Sequence, residues 1–280
     1  MIKKEPLFLL SNDDGVNAAG LMSLLAGLKD LGEIVVVAPD TERSASGHAI
    51  TISGPLRIKN LSENIFSVTG TPADCVMVAF HNNFLKRKPS WVLSGINKGG
   101  NTGTDTIYSG TVAAALEGAI NNCRGMAISL DRIECAKVLR YETAVKIVRI
   151  LLENELLLNV KDGEVLNVNV PNIPFEDILG IKAATIGKRI YNDAVQSITD
   201  PKGKPFVWIG GGKRGHHSIA GSDCNLIDEG YVTLSILRPS YIDDSATKRL
   251  SGALENGLND LFKDALSYPD ELAVSGISKL

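Results

Sequence analysis

Leu7-Phe8-Leu9-Leu10-Ser11-Asn12-Asp13-Asp14-Gly15 is the stretch that decides the fold. Four apolar residues in a row fit a strand covered on both faces, as inside a parallel sheet. Neighbouring Asp residues within a strand would point to opposite faces, so for both to serve one site the strand must end before them. Asn12 and Gly15 permit that turn. Carboxylates just past the end of a first strand lie where open α/β sheets bind their ligands. A solvated Asn/Asp/Gly turn that caps the next helix would carry the same residues, so the rest of the chain has to decide.

Outward from this stretch, Leu21, Leu24, Leu25 and Leu28 recur at the spacing of an amphipathic helix, and Gly32 is its expected stop. Glu33 to Ala38 reads as a second buried strand that Pro39 ends. Strand, helix and strand make a βαβ unit, hence a parallel pair with a right-handed crossover. The polar loop Asp40 to His48 therefore opens at the same sheet edge as Asp13 and Asp14. Alternation over Ile50 to Ile58 and Ile65 to Thr69 predicts a hairpin beside the main sheet. Thr71 and Pro72 supply the N-cap and first position of a helix whose apolar stripe is Val76, Phe80 and Phe84.

Trp91 to Leu93 is a further short strand, running into Ser94-Gly95-Ile96-Asn97 and then a Gly-, Asn- and Thr-rich segment from Lys98 to Thr106. Tyr108-Ser109-Gly110-Thr111 starts a helix carried by Val112, Leu116 and Ile120. Met126 to Leu130 is the next strand, Cys135 to Leu157 a long helix, and Val165 to Val170 the strand that closes the core sheet. Beyond Pro171 the texture changes to short strand-like pieces (Ile181 to Ile186, Phe206 to Ile209, Tyr231 to Ile236) between Gly-, Lys- and Asp-rich turns. A last helix is expected over Asp244 to Phe262. The pattern is an α/β chain with a Rossmann-like, mostly parallel sheet flanked by helices. It divides softly near residue 175 into a core (1–175) and a β-rich C-terminal part with a closing helix (176–280).

The bulk properties set limits. The net charge of -3 argues against a nucleic acid polymer as partner, while small anions need only local positive potential. No apolar stretch is long enough to cross a bilayer, and the N-terminal run lacks the length and cleavage site of a signal, so neither membrane nor export is expected. Cys75, Cys123, Cys135 and Cys224 form no C-x-x-C pair, which favours free thiols in a reducing cytoplasm.

Three polar loops follow parallel strands, and their side-chain oxygens include Asp13, Asp14, Ser44, Asn97, Asn101 and Asp105. Carboxylate, amide and hydroxyl oxygens are ligands of hard cations, and zinc fits poorly because only four His exist. The helix start at Ser109, Gly110 and Thr111 offers N-H groups and hydroxyls to an anion, and Lys98 adds positive charge. A cation held by oxygens beside an amide cradle is the apparatus of phosphoester hydrolysis, where the metal activates a water. Singly, each part has a plainer explanation: Ser109 as an N-cap, Asn97 and Asn101 as turn residues.

Asn12-Asp13-Asp14-Gly15, Arg43-Ser44 with Gly47-His48 and Thr51, Gly70-Thr71-Pro72-Ala73-Asp74-Cys75-Val76, Ser94-Gly95-Ile96-Asn97 with Asn101 and Gly103, and Tyr108-Ser109-Gly110-Thr111-Val112 with Glu117-Gly118 together resemble the SurE (survival protein E) family of metal-dependent nucleotide phosphatases. The resemblance extends into Leu166 to Pro171 and Glu229 to Val232. It implies hydrolysis of nucleoside 5'- and 3'-monophosphates, with one divalent cation per subunit (Mg2+ or Mn2+) held by Asp13, Asp14, Ser44 and Asn97. Asn101 and the Ser109-Gly110-Thr111 helix start would contact phosphate, and Asp13, Asp14 and Asn97 would be the catalytic set. It also implies a homodimer or homotetramer assembled through an arm after Pro171. The chain departs from the family pattern at Ala45-Ser46, where Ser46 competes as a ligand, and at Ser235-Ile236-Leu237.

Gly210, Gly212 and Gly215 match a dinucleotide fingerprint by spacing but are expected to be a hairpin turn, and His216-His217 a solvated loop rather than a metal pair. Trp208 and Tyr191 are expected to pack under the arm rather than stack on a base, the alternative being that either lines a nucleotide pocket of a partner subunit. The competing readings are a receiver-like signalling domain, which would need a phosphoacceptor Asp where Asn97 stands, and a nucleotide-binding module without turnover.

Overall fold

Alternation along a single strand builds both sides of the protein. β1 (Leu7–Ser11) sends Phe8 and Leu10 into one apolar cluster and Leu7 and Leu9 into another. That is why its residues read as a continuous apolar run: each face has its own cover of helices. The computed structural model describes residues 5–131, 138–155, 159–192, 195–209, 214–240, 248 and 251. Residues up to Pro239 form one compact unit and Ser240–Leu280 a second. The helix expected over Asp244 to Phe262 and the glycines Gly210 and Gly212 lie outside the described residues.

The first unit is an open α/β sheet. β1 is followed by α1 (Ala19–Leu28), β2 (Glu33–Pro39), β3 (Ile58–Ser62), β4 (Ile65–Val68) and α2 (Pro72–His81). Then come β5 (Trp91–Lys98), a 3-10 turn (Gly103–Ile107), α3 (Gly110–Ile120), β6 (Arg124–Asp131), α4 (Tyr141–Glu153) and β7 (Val165–Pro171). After β7 follow β8 (Ile181–Ala183), β9 (Arg189–Tyr191), β10 (Val195–Thr199), β11 (Pro205–Ile209), β12 (Arg214–His216), α5 (Asp223–Asp228) and β13 (Val232–Leu237). The main sheet has the order β3-β4-β2-β1-β5-β6-β7-β13-β8. From β4 through β2, β1, β5 and β6 to β7 neighbouring strands are parallel, β3 joins β4 antiparallel, and β13 joins β7 antiparallel.

Helices α1 and α4 pack together on the Phe8/Leu10 face, and α2 and α3 on the Leu7/Leu9 face. Leu21, Leu24 and Leu28 of α1 are fully buried, each worth roughly 1.5–3 kcal/mol of transfer free energy. Trp91 is also fully buried, and its indole N-H donates to Glu155 Oε2 at 2.9 Å while the Arg124 guanidinium lies over its ring. At α2, Thr71 Oγ1 accepts from Asp74 N and Asp74 Oδ2 accepts from Thr71 N, the capping box that the Thr-Pro-x-Asp order calls for.

Several expectations are corrected. The hairpin uses Ile58–Ser62 rather than Ile50 to Ile58, and it extends the main sheet because β4 takes the free edge of β2. α2 ends at His81, so Phe84 lies beyond it and stacks on Phe66 instead. α1 closes at Lys29 rather than Gly32, and the part of α4 that is described begins only at Tyr141. β7 does not close the sheet, because the exposed side of its backbone is paired by β13 and then β8. β5 continues to Lys98, which places Asn97 on the strand and not in the following loop. The pieces β9, β10 and β12, and the short helix α5, were not read from the sequence. They are three to six residues long, too short for periodicity to register.

The order of strands reverses at β1. The chain runs from it to β2 on one side and returns to β5 on the other, so the loops leaving β1 and β5 diverge and open a crevice.

Candidate functional site

The crevice at this switch point is a cavity of about 240 Å³, lined among others by Asp13, Ser44, Asn97, Lys98, Asn101, Asp105, Tyr108, Ser109 and Tyr191. The turn after β1 is fixed from below. Asn12 Nδ2 donates to Gly15 O at 2.9 Å, Val16 N to Pro39 O at 2.8 Å, and Arg43 N to Asp13 O at 2.7 Å. These bonds set the Ser44 loop directly beside Asp13.

Asn97 reaches the site through an irregularity in β5. Ser94 pairs with Ala127 and Asn97 with Ser129, so Gly95 and Ile96 together face the single residue Ile128. The extra residue reverses the facing of everything beyond it. Leu93 and Ile96 both enter the α1/α4 core, and Asn97 turns to the opposite face with Ser129. Gly95 has φ +136°, and a Cβ there would lie 2.3 Å from Ile128 O, so only glycine fits the bulge. Asn97 Nδ2 donates to Gly99 O at 2.8 Å, which leaves Oδ1 as the end able to ligate.

The third component is α3. Ser109 Oγ accepts from Val112 N at 3.1 Å and caps the helix. Thr111 is fully buried, and its hydroxyl donates to Asp13 Oδ1 at 2.5 Å instead of facing the cavity. Gly110 makes this closeness possible: a Cβ there would stand 2.9 Å from Asp13 Cβ and 2.8 Å from Ser46 Oγ. Asn101 is held from behind, with Nδ2 donating to Ser129 Oγ, its backbone N to Asn169 Oδ1, and its carbonyl accepting from the Asn167 and Asn169 amides. Asn167 and Asn169 alternate with buried Leu166, Val168 and Val170, and amides in a fully buried strand were the signal that this face is polar.

The structure thus brings Asp13, Ser44, Asn97, Asn101 and Ser109 to one cavity. Asp14 stands beside it, its Oδ2 accepting from Lys98 N at 3.2 Å. Ser46 lies against the α3 start with its Oγ buried and unpartnered, whereas the exposed Ser44 hydroxyl lines the cavity and donates to Glu42 Oε1 at 2.7 Å. Sequence reasoning missed Arg189 and Asp223. Arg189 sits between Asp105 and Asp131, and Asp223 accepts from Gly103 N and Gly187 N at 2.8 Å. Trp208 does not pack under the arm but is 63% exposed, and Tyr191 lines the cavity, its phenol donating to Asp105 Oδ1. His216 is on β12, not in a loop, and its Nε2 donates to Asp228 Oδ2 at 2.9 Å.

The electrostatics suit a cation. Burial pushes the Asp13 carboxyl up to about 6, against the Thr111 hydrogen bond, and the charge of Asp14 adds to the rise. Asp14 is raised too, again chiefly by burial. No Lys, Arg or His forms an ion pair with either among the described residues. A buried carboxylate such as Asp13 is normally neutralised, paired or bound to metal, and with the half-buried Asp14 and the hydroxyl and amide oxygens nearby it offers the donor types of a hard cation. Among the described residues no group of three or more His, Cys, Asp or Glu is placed to hold a metal ion, so hydroxyl and amide oxygens would have to complete any shell built on the two aspartates. Cys75, Cys123 and Cys224 are free and buried.

Fold and site together define an open α/β protein with an oxygen-lined crevice at the carboxyl edge of its sheet. The comparisons narrow this. Residues 8–193 match the family described as survival protein SurE. A 5'-nucleotidase SurE of Vibrio cholerae is 38% identical over 251 residues, 90% of this chain and 98% of that protein. One from Aquifex aeolicus is 40% identical over 239 residues, covering 85% of this chain and 93% of that protein. The crystal structure of the SurE protein from Aquifex aeolicus superposes with a TM-score of 0.77 at 36% identity, over 89% of this chain and 99% of that one. The chain belongs to the SurE family.

Proposed function

We infer that this chain is a metal-dependent 5'-nucleotidase that hydrolyses nucleoside 5'- and 3'-monophosphates to nucleoside and phosphate. The observation that carries the reading is the convergence of Asp13, Ser44 and Asn97 with the Ser109-capped start of α3 on one cavity. The relatives named above are 5'-nucleotidases by name.

Asp13, Asp14, Ser44 and Asn97 would hold one divalent cation, Mg2+ or Mn2+. When bound, such an ion polarises the phosphoryl group and supplies an activated water for attack on phosphorus. The chain's own contribution is orientation and charge. Thr111 fixes the rotamer of Asp13, Gly99 fixes that of Asn97, and the first N-H groups of α3, with Ser109, Gly110 and Asn101, receive phosphate oxygens. Lys98 sits at the cavity as a counter-charge for a dianionic substrate.

Residues 1–175 would then carry the chemistry and 176–280 assembly into a homodimer or homotetramer. The pair β10–β11 supports the second role, since Val195, Val207, Trp208 and Ile209 are each more than half exposed on one small hairpin. No helix among the described residues is long and apolar enough to cross a membrane. The proposed location is cytoplasmic, in keeping with the free thiols.

The test is Asp14→Asn assayed on adenosine 5'-monophosphate with added Mg2+ or Mn2+ and with chelator. The variant is expected to stay folded and lose more than about a hundredfold in rate, beyond what outer partners of a ligand usually contribute. Wild-type-like phosphate release from it, or wild-type release in excess chelator, would overturn the reading.

A further inference from the structure

The segment that joins β5 to α3, Gly99-Gly100-Asn101-Thr102-Gly103-Thr104-Asp105, is gripped from two sides. From one side Ser129, Asn167 and Asn169 hold Asn101. From the other comes Arg189 of β9, whose side chain is only 9% exposed. Its Nη2 donates to Thr102 Oγ1 at 2.5 Å and stands 3.6 Å from Asp131 Oδ2, and its Nε lies 3.3 Å from Asp105 Oδ2. Its backbone N donates to Thr104 Oγ1 at 3.4 Å. A planar guanidinium can span a hydroxyl and two carboxylates at once, whereas an ammonium is a point charge.

The charge matters as well as the reach. Asp105 lines the cavity, and buried Asp131 lies against the same segment, since a Cβ at Gly100 would stand 2.1 Å from its Oδ2. Two carboxylates beside a cavity repel an anion there unless a cation offsets them, and shielding from water strengthens both effects. Arg189 is within ion-pair distance of both. It is not one of the described residues that line the cavity, so it acts on a ligand there only through the segment it holds and the charge it carries.

We propose that Arg189 is a positioning residue for the phosphate end of the site. Its fork fixes Thr102 and Asp105, and with them Asn101 and the approach to Ser109, while its charge offsets Asp105 and Asp131 beside an anionic ligand. The inference rests on the nucleotidase reading above, in which Asn101 and the start of α3 receive phosphate oxygens. The partners Thr102, Asp105 and Asp131 are distinct from Asp13, Asp14, Ser44 and Asn97, so loss of the guanidinium weakens the hold on the anion and not on the metal.

The experiment titrates inorganic phosphate by calorimetry into Mg2+-loaded wild type, Arg189→Gln and Arg189→Lys, and Mn2+ into the same proteins without phosphate. Both variants are expected to bind phosphate about 10- to 100-fold more weakly, the cost of one misplaced hydrogen bond to a charged group, while Mn2+ affinity does not fall. In turnover of adenosine 5'-monophosphate the loss is expected in KM rather than kcat, the mark of binding lost equally from ground and transition states. A mere folding defect would lower the number of binding sites and leave the affinity of the remaining ones unchanged. Arg189→Lys keeps the charge and most of the bulk, so it tests the fork even where the glutamine variant does not fold. Wild-type phosphate affinity in the lysine variant, or an equal loss of phosphate and Mn2+, would overturn the proposal. Wild type that binds phosphate but releases none from the nucleotide would defeat the nucleotidase reading instead.

Discussion

The hydroxyl of Thr111 donates to Oδ1 of Asp13 at 2.5 Å, joining the first turn of α3 to the turn that follows β1. The bond joins a residue at a helix start to one past a strand end, and both are buried. It also opposes the effect of burial on Asp13. Under the proposed reading, Thr111 would act on the cation through Asp13, without being a ligand itself.

Thr111→Val tests that role. It keeps the volume of the side chain and removes only the donor. Metal affinity is expected to fall about 10- to 100-fold, the usual consequence of removing a partner that orients a ligand. Mn2+ titration by calorimetry measures it, and an unchanged affinity would show that the bond is incidental.

The pH dependence follows from Asp13. Its carboxyl lies at about 6 in the metal-free chain, above the ordinary 3.8. The proton competes with the cation, so below about pH 6 affinity should drop roughly tenfold per pH unit and binding should release a proton. For the metal-free chain the sign runs the other way. A raised folded-state value means that protonation favours the fold, so the contribution of Asp13 to stability is greatest below about pH 4 and declines as pH rises to about 6, by about 3 kcal/mol. Urea titrations of wild type and Asp13→Asn in chelator, at pH 4 and pH 7, isolate this contribution. A stability difference between the two that does not change with pH would contradict it.

Gly110→Ala sets two effects against each other. In a helix the change ordinarily stabilises by about 1 kcal/mol. Here the added Cβ would stand 2.8 Å from Ser46 Oγ, 2.9 Å from Asp13 Cβ and 3.0 Å from Pro72 Cγ. Overpacking of this kind costs about 1–3 kcal/mol and displaces the parts that meet there. A lower Tm and at least a tenfold lower rate are expected, and thermal scans beside a phosphate assay check both.

Asp74→Ala separates stability from chemistry. The buried carboxylate accepts from Thr51 N, Thr51 Oγ1 and Thr71 N at 2.6–2.9 Å, closing the α2 cap and tying down the loop at Thr51. Its loss should cost about 2–4 kcal/mol, the sum of a cap and a buried donor left unpaired. Active-site titration is expected to show the remaining folded molecules turning over at close to the normal rate.

How much of this was legible varies by element. β1 and α1 were legible because a buried strand and an amphipathic helix each repeat a pattern over several residues. The α2 cap was legible because Thr71, Pro72 and Asp74 are adjacent in the chain. Asp13, Ser44 and Asn101 were legible as candidates because each follows a recognisable strand. The bulge at Gly95-Ile96 was not, since a one-residue change of facing leaves the composition of β5 unaltered. Nor was the role of Arg189, whose partners Thr102, Asp105 and Asp131 come from a loop, a 3-10 turn and a strand end distant in the chain.

The sequence by itself determined the layers, the parallel sheet, the edge at which polar loops gather and the oxygen chemistry available there. These follow from local periodicity and from the residue types that end each strand. Tertiary structure alone decided which oxygens face one another: that Asn97 turns toward α3, that Thr111 is tied to Asp13, and that Tyr191 of the C-terminal part lines the cavity. Those relations depend on the register between strands and on contacts across the chain, and no spacing along a single segment encodes them.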